Sequence, residues 1–131
     1  MTSSSCNAMG VIAGRFLLAL IFVMSGIGKL KDFDGTAALI AGRGLPLPTL
    51  LTAATIVLEI VAGVMVVFGW RLRWSAGALM LFTLVAGALF HNFWQSAPAD
   101  AHMQMIHFMK NLAIAGGLLF VACSGAEQRA K

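Results

Sequence analysis

Four apolar stretches, each long enough to cross a bilayer, limit what this chain can fold into more than any other feature. A membrane-spanning helix needs roughly 20 mostly apolar residues. The stretches run from about Gly10 to Leu30, Pro48 to Trp70, Trp74 to Trp94 and Met103 to Cys123. Apolar side chains occur around most of each helical circumference, which argues against the amphipathic helices of a soluble bundle. Strands of a membrane barrel would alternate polar and apolar residues and would number at least about eight. The expected fold class is therefore an all-α membrane protein, a four-transmembrane-helix bundle over residues 10–123. A disordered tail over 1–9 is expected before it, and a C-terminal tail over 124–131 after it.

Composition agrees. Apolar residues make up 60% of the 131 and charged residues 11%, where a soluble domain carries about 25% charged. So small a chain could not hide that much apolar surface from water. The net charge is +4, but there is no basic run or basic helix face of the kind that binds nucleic acid. The charges lie in short loops between the apolar blocks. The first block has no basic residue ahead of it and no A-x-A-like cleavage site after it, so it is expected to be a retained span rather than a signal peptide. Cys6 and Cys123 form no CxxC pair, fall on one side of the expected topology, and are not expected to form a disulfide.

The longest connection, Lys31 to Leu47, holds a short apolar run, Thr36–Ala41, that Asp34 would cap as an interfacial helix. Pro46 and Pro48 exclude a helical continuation and suit the first turn of the second span. Arg71–Arg73 reads as a tight turn and Gln95–His102 as a short polar loop. Arg71, Arg73, Arg129 and Lys131, with Arg15 just inside the first helix, outweigh Lys29, Lys31 and Arg43 on the other side. The positive-inside rule then puts both termini on the cytoplasmic side. Trp70 and Trp74 would mark one interface and Trp94 the other.

Ionisable groups inside a bilayer are costly and point to function or to pairing. Glu59 lies near the middle of the second span. A central charge costs roughly 3 kcal/mol on insertion scales, so Glu59 must be neutral, paired or set against a wet cavity. Arg15 either snorkels to the headgroups or pairs with Glu59. Lys110 is the competing partner. His107, Lys110 and Asn111 share i, i+3, i+4 spacing and are expected to turn one polar face inward. His91 and His107 fall at similar depth on adjacent helices. A haem or metal site there is disfavoured, because neither shares its helix face with a second histidine or carboxylate. Lys29 ends the first span after Ser25, Gly26 and Gly28. Ser25, Gly26 and Gly28, Gly10 and Gly14, Gly77 and Gly87, and Gly116 and Gly117 are expected to let helices approach. The candidate intramembrane polar site is thus Glu59, Lys110, Asn111, His107, His91, Arg15 and Lys29, with no metal. No phosphate loop, dinucleotide loop or Ser-His-Asp arrangement is present.

Taken in order, Gly14-Arg15-Phe16-Leu17-Leu18-Ala19-Leu20-Ile21-Phe22, Ser25-Gly26 and Lys29-Leu30 resemble the opening of DoxX family membrane proteins. Gly44-Leu45-Pro46-Leu47-Pro48, Leu58-Glu59-Ile60 with Gly63, Gly69 with Arg71 and Arg73, Phe90-His91-Asn92-Phe93-Trp94 and Ile106-His107-Phe108-Met109-Lys110-Asn111-Leu112-Ala113 extend the resemblance over nearly the whole chain. It implies a small four-helix inner-membrane protein. The family takes its name from a subunit associated with quinone-linked sulfur oxidation, which offers quinone as a candidate ligand and a redox protein as a candidate partner, without assigning a cofactor. It supplies no catalytic set, and fold alone does not assign function. The leading expectation is an accessory subunit of a quinone-linked redox system with a polar site around Glu59. The alternatives are a small oligomeric transporter and a structural assembly subunit without chemistry of its own. Lipid, and in the transporter reading a second copy of the chain, complete the expected partners.

Overall fold

The computed structural model describes the backbone of Thr2–Glu127 and the side chains of residues 7–125. Five α-helices occur among these residues, with no strand: α1 Thr2–Lys31, α2 Phe33–Gly42, α3 Pro48–Phe68, α4 Leu72–Phe90 and α5 Pro98–Glu127. Four of them are long and apolar enough to cross a membrane. The fold class expected from the apolar stretches is the one observed. Arg129 and Lys131, used in the charge count, and the Cys6 side chain lie outside the described residues. Cys123 is exposed and unpaired.

Helix ends depart from the sequence reading for local reasons. α1 begins at Thr2, ahead of the expected Gly10. α2 is capped by Asp32, not Asp34: Asp32 Oδ1 accepts from the Gly35 amide at 3.2 Å, and Asp34 falls in the first turn. A carboxylate there both satisfies an amide and complements the helix dipole. α3 starts on Pro48, whose missing amide costs nothing at a first helical position. It stops at Gly69, in the left-handed region at φ 74°. Arg71 follows at φ 47°, so the tight turn is Gly69–Arg71 and α4 begins at Leu72. α5 starts at Pro98 with Asp100 in its first turn, five residues before the expected Met103.

The third span was expected to run to Trp94. α4 ends at Phe90 instead, His91 leaves the helix, and a short 3-10 turn covers Phe93–Gln95. The ending is held in part by Arg43, whose guanidinium donates to Asn92 Oδ1 at 3.1 Å and to the Phe90 carbonyl at 3.4 Å. That carbonyl is one of those a helix terminus leaves free.

The bundle core gathers Ala19, Phe22, Ala62, Val66, Ala76, Leu79 and Leu118. α1 packs on α3 and α4 on α5; α3 joins the two pairs, and α2 lies on α3. α1 and α4 share no close contact. The tight α1–α3 crossing depends on two small residues. A Cβ on Gly26 would stand 2.6 Å from Ile60 Cγ1, and one on Gly63 2.9 Å from Val23 Cγ2. Gly10, Gly14 and Gly116, expected as packing residues, have nothing within 4 Å of a Cβ and face outward. Of the other glycines expected to pack, Gly28 and Gly77 likewise meet nothing, while Gly26, Gly87 and Gly117 meet Ile60, Asn111 and Leu18.

Candidate functional site

Because the α1 and α4 backbones stay apart, a cavity of about 500 Å³ opens between them. α3 forms its back, α2 one end, and α5 part of its side. Its walls are largely apolar, with Ile21, Phe22, Leu39, Ile40, Phe82 and Phe90 among them. The polar groups are few: Ser25, Lys29, Asp32, Thr36, Thr55, Glu59, Thr83, His91 and Asn111. Apolar walls with a handful of convergent polar groups are the usual make-up of a small-molecule site, and the volume is typical.

Glu59 is 2% exposed and is the most deeply buried ionisable group described. Its partner is Lys29, with Nζ 2.7 Å from Oε2. The same ammonium donates to Ser25 Oγ at 2.6 Å and lies 6.0 Å from the centre of the Phe82 ring. Helical geometry explains the meeting. Gly26 sets α1 against Glu59 and Ile60, and Lys29 is one turn further along the same face. Its side chain leans toward the N-terminus of α1, which brings Nζ down to the level of Ser25. An ammonium carries three donors. Two are used, and the third is left for the cavity that Lys29 lines. The charges of Lys29 and Glu59 cancel, so the centre of the cavity is polar without being an ion trap.

Neither expected partner of Glu59 holds it. The Arg15 guanidinium lies against Gly69, ten residues along α3 from Glu59, which is roughly 15 Å of helix rise. There it sits beside the C-terminal carbonyls of α3, where the helix dipole favours a cation. Its Nε is buried without a hydrogen-bond partner. Lys110 is exposed on the outside of the bundle. Asn111 packs on Gly87, and the next residue back is turned by about 100°, which carries Lys110 off that face. Its stem leans toward the α2 end of the bundle and can snorkel there. The shared inward face expected for His107, Lys110 and Asn111 thus holds without Lys110.

Of the seven candidates, Glu59, Lys29, His91 and Asn111 meet at the cavity. His107 stacks on His91, ring centres 5.0 Å apart, and is not itself part of the lining. Four residues outside the candidate set matter here. Ser25 was assigned to packing, yet Ser25 and Lys29 are four apart on one helix face, and that spacing signals the hydrogen bond. Gln104 binds His91 at 2.9 Å, Arg43 ties α2 to the end of α4, and Asp32 caps α2 at the cavity wall. Gln104 and Arg43 act through tertiary contacts with no local signal, whereas Asp32 is a local cap. No cluster of three or more His, Cys, Asp or Glu side chains suited to a metal occurs among the described residues.

Fold and site together define a small four-span membrane protein with a polar pocket inside an apolar bundle. The DoxX family model matches residues 10–92, and the chain belongs to that family. Inner membrane protein YphA of Escherichia coli K12 is 32% identical over 115 residues, 88% of this chain and 82% of YphA. Inner membrane protein YqjF of the same organism is 32% identical over 117 residues, 89% of this chain and 85% of YqjF. The protein is accordingly an inner-membrane one. A Surfeit locus protein 4 homolog of Schizosaccharomyces pombe is 29% identical over 117 residues, covering 87% of this chain and 33% of that protein. No solved structure matches.

Proposed function

We propose that this protein is the ligand-holding subunit of a quinone-linked membrane redox system, in which the cavity takes the head of a quinone-type amphiphile from the bilayer. One observation carries the reading. Lys29 Nζ is fixed between Ser25 and Glu59 and retains a donor toward a cavity whose walls are largely apolar. A neutral carbonyl-bearing ring with an isoprenoid tail matches that pattern. The oxygen accepts from Lys29, the ring lies on Phe82 and Ile21, and the tail leaves through the gap between α1 and α4. The side chains bind and orient; electrons would pass to or from a partner protein. The orientation that goes with the reading puts the α2 end outward, because the Gly69–Arg71 turn carries Arg71 and the start of α4 carries Arg73.

The test is a titration of the purified protein in lipid nanodiscs with a short-tailed ubiquinone. Saturable binding is expected. Ala86→Trp, which fills the cavity from α4 and leaves both members of the Lys29–Glu59 pair in the sequence, should abolish it. Absence of saturable binding, or binding indifferent to Ala86→Trp, would sink the reading.

A further inference from the structure

At the α2 end of the cavity, hydrogen bonding decides which nitrogen of His91 a ligand can use. His91 Nδ1 lies 2.9 Å from Gln104 Oε1. An amide oxygen only accepts, so in the neutral ring Nδ1 carries the proton and Nε2 keeps a lone pair. The ring is held against His107, with planes 28° apart, so two contacts fix it. His91 lines the cavity, and with Nδ1 committed to Gln104 its remaining polar atom is Nε2. The charged and titratable groups around it are His107 from α5, Arg43, which is bonded to Asn92 and the Phe90 carbonyl, and Lys29, Asp32 and Glu59 from the far walls. Of these, Lys29 presents a donor to the cavity interior, its ammonium lying beside Ser25, Glu59 and Phe82.

The cavity therefore offers the Lys29 ammonium as a donor beside Phe82 and, at the α2 end, the His91 Nε2 lone pair as an acceptor. From Phe82, beside Lys29 Nζ, to His91 is nine residues, roughly 13 Å at 1.5 Å per residue. A six-membered ring with oxygens at opposite corners, hydrogen-bonded at each end by bonds of about 2.8 Å, spans a length of this order.

We propose that the cavity discriminates between the two oxidation states of its ligand and selects the quinol. This rests on the quinone reading above and adds a specificity to it. One quinol hydroxyl donates to His91 Nε2, and the oxygen of the other accepts from Lys29. A quinone has only acceptors, so its second carbonyl would set lone pairs against the lone pair of Nε2. An unmatched polar contact of that kind in an enclosed site is strongly disfavoured. Gln104 is the positioning residue, because its carbonyl oxygen sets the tautomer. The selection is a binding step and moves no electrons.

The experiment measures the dissociation constants of a short-tailed ubiquinol, its quinone and the quinol dimethyl ether under argon, on the protein in nanodiscs. The quinol should bind about tenfold or more tighter than either of the others. Gln104→Leu frees the ring to present an N–H, and should bring the quinol-to-quinone ratio close to one while quinone binding persists. His91→Phe should do the same by removing the acceptor; should that variant not fold, Gln104→Leu decides. Equal or tighter binding of the quinone by the wild-type protein, or an unchanged ratio in Gln104→Leu, overturns the selection while leaving quinone binding standing. Binding of neither form overturns both.

Discussion

Replacing Lys29 by Met leaves the Glu59 carboxylate in the bundle without its cation. The cost can be worked from burial. Glu59 is 3% exposed in its side chain and Lys29 27%, so the two partners are unequally dependent on each other. Removing one partner of a buried pair costs about 3–5 kcal/mol when the charge left behind has no water to turn to. Glu59 is that case, and loss of the Ser25 hydrogen bond adds about 1 kcal/mol. Glu59→Gln should be milder, about 1–2 kcal/mol. The ammonium keeps Ser25 and its exposure to the cavity, and the amide oxygen can still accept. The double variant Lys29→Met with Glu59→Gln leaves no charge unpaired and should lose only about 2 kcal/mol. Reversible unfolding by sodium dodecyl sulfate from mixed micelles gives all four corners of the cycle. A coupling energy of about 3 kcal/mol is expected, with Lys29→Met the least stable corner. Equal losses in the two single variants, or a double variant as unstable as their sum, would show that the pair does not hold Glu59 in the way described.

Three further substitutions test the packing. Gly26→Ala places a methyl 2.6 Å from Ile60 Cγ1 and 3.4 Å from Glu59 Cβ. It should destabilise by about 1–3 kcal/mol, while Gly14→Ala, with open space around it, should stay within about 0.5 kcal/mol; the same unfolding titration reads both. Gly69→Ala combines a φ of 74° with contact on Arg15 Nη1, and should lower stability by about 1–2 kcal/mol. Lys110→Leu should change neither stability, beyond about 0.5 kcal/mol, nor ubiquinone binding, because Lys110 stands outside the bundle; a binding loss in nanodiscs would put it back in the site.

The four spans were legible because the bilayer imposes length and apolarity residue by residue, and both are visible in one dimension. Helix ends were less so. Asp32 and Asp34 are equally good caps on paper, and the choice falls to the residue whose backbone leaves the helix. The ending of α4 at Phe90 depends in part on Arg43, nearly fifty residues away. The site divided in the same manner. That Glu59 needs a partner follows from its position in an apolar run. Which basic residue supplies it depends on how far α1 slides along α3, and that register is set by Gly26 and Gly63 meeting Ile60 and Val23. An arrangement with straight, evenly aligned helices leaves Arg15 and Lys110 as candidates. The observed register moves Arg15 to Gly69 and brings in Lys29.

The same register accounts for why a cavity exists at all. Gly26 and Gly63 draw α1 onto α3, and Gly87 draws α5 onto α4 through Asn111. Each pair closes on itself. Phe82 and Phe90 then stand on the α4 side of the opening, facing Lys29 and Ile21 on the α1 side. None of these is small enough to let α1 and α4 meet. In water such a gap would collapse or fill, because apolar walls exposed to solvent are costly. In a bilayer the hydrophobic penalty is absent, since lipid tails are as apolar as the walls. What stabilises the gap is then the polar pair at its centre, which must keep its own hydrogen bonds whether or not a ligand is present. Lys29 and Glu59 satisfy each other within one pair of helices, so a ligand of the proposed kind could enter or leave without leaving a charge unpaired.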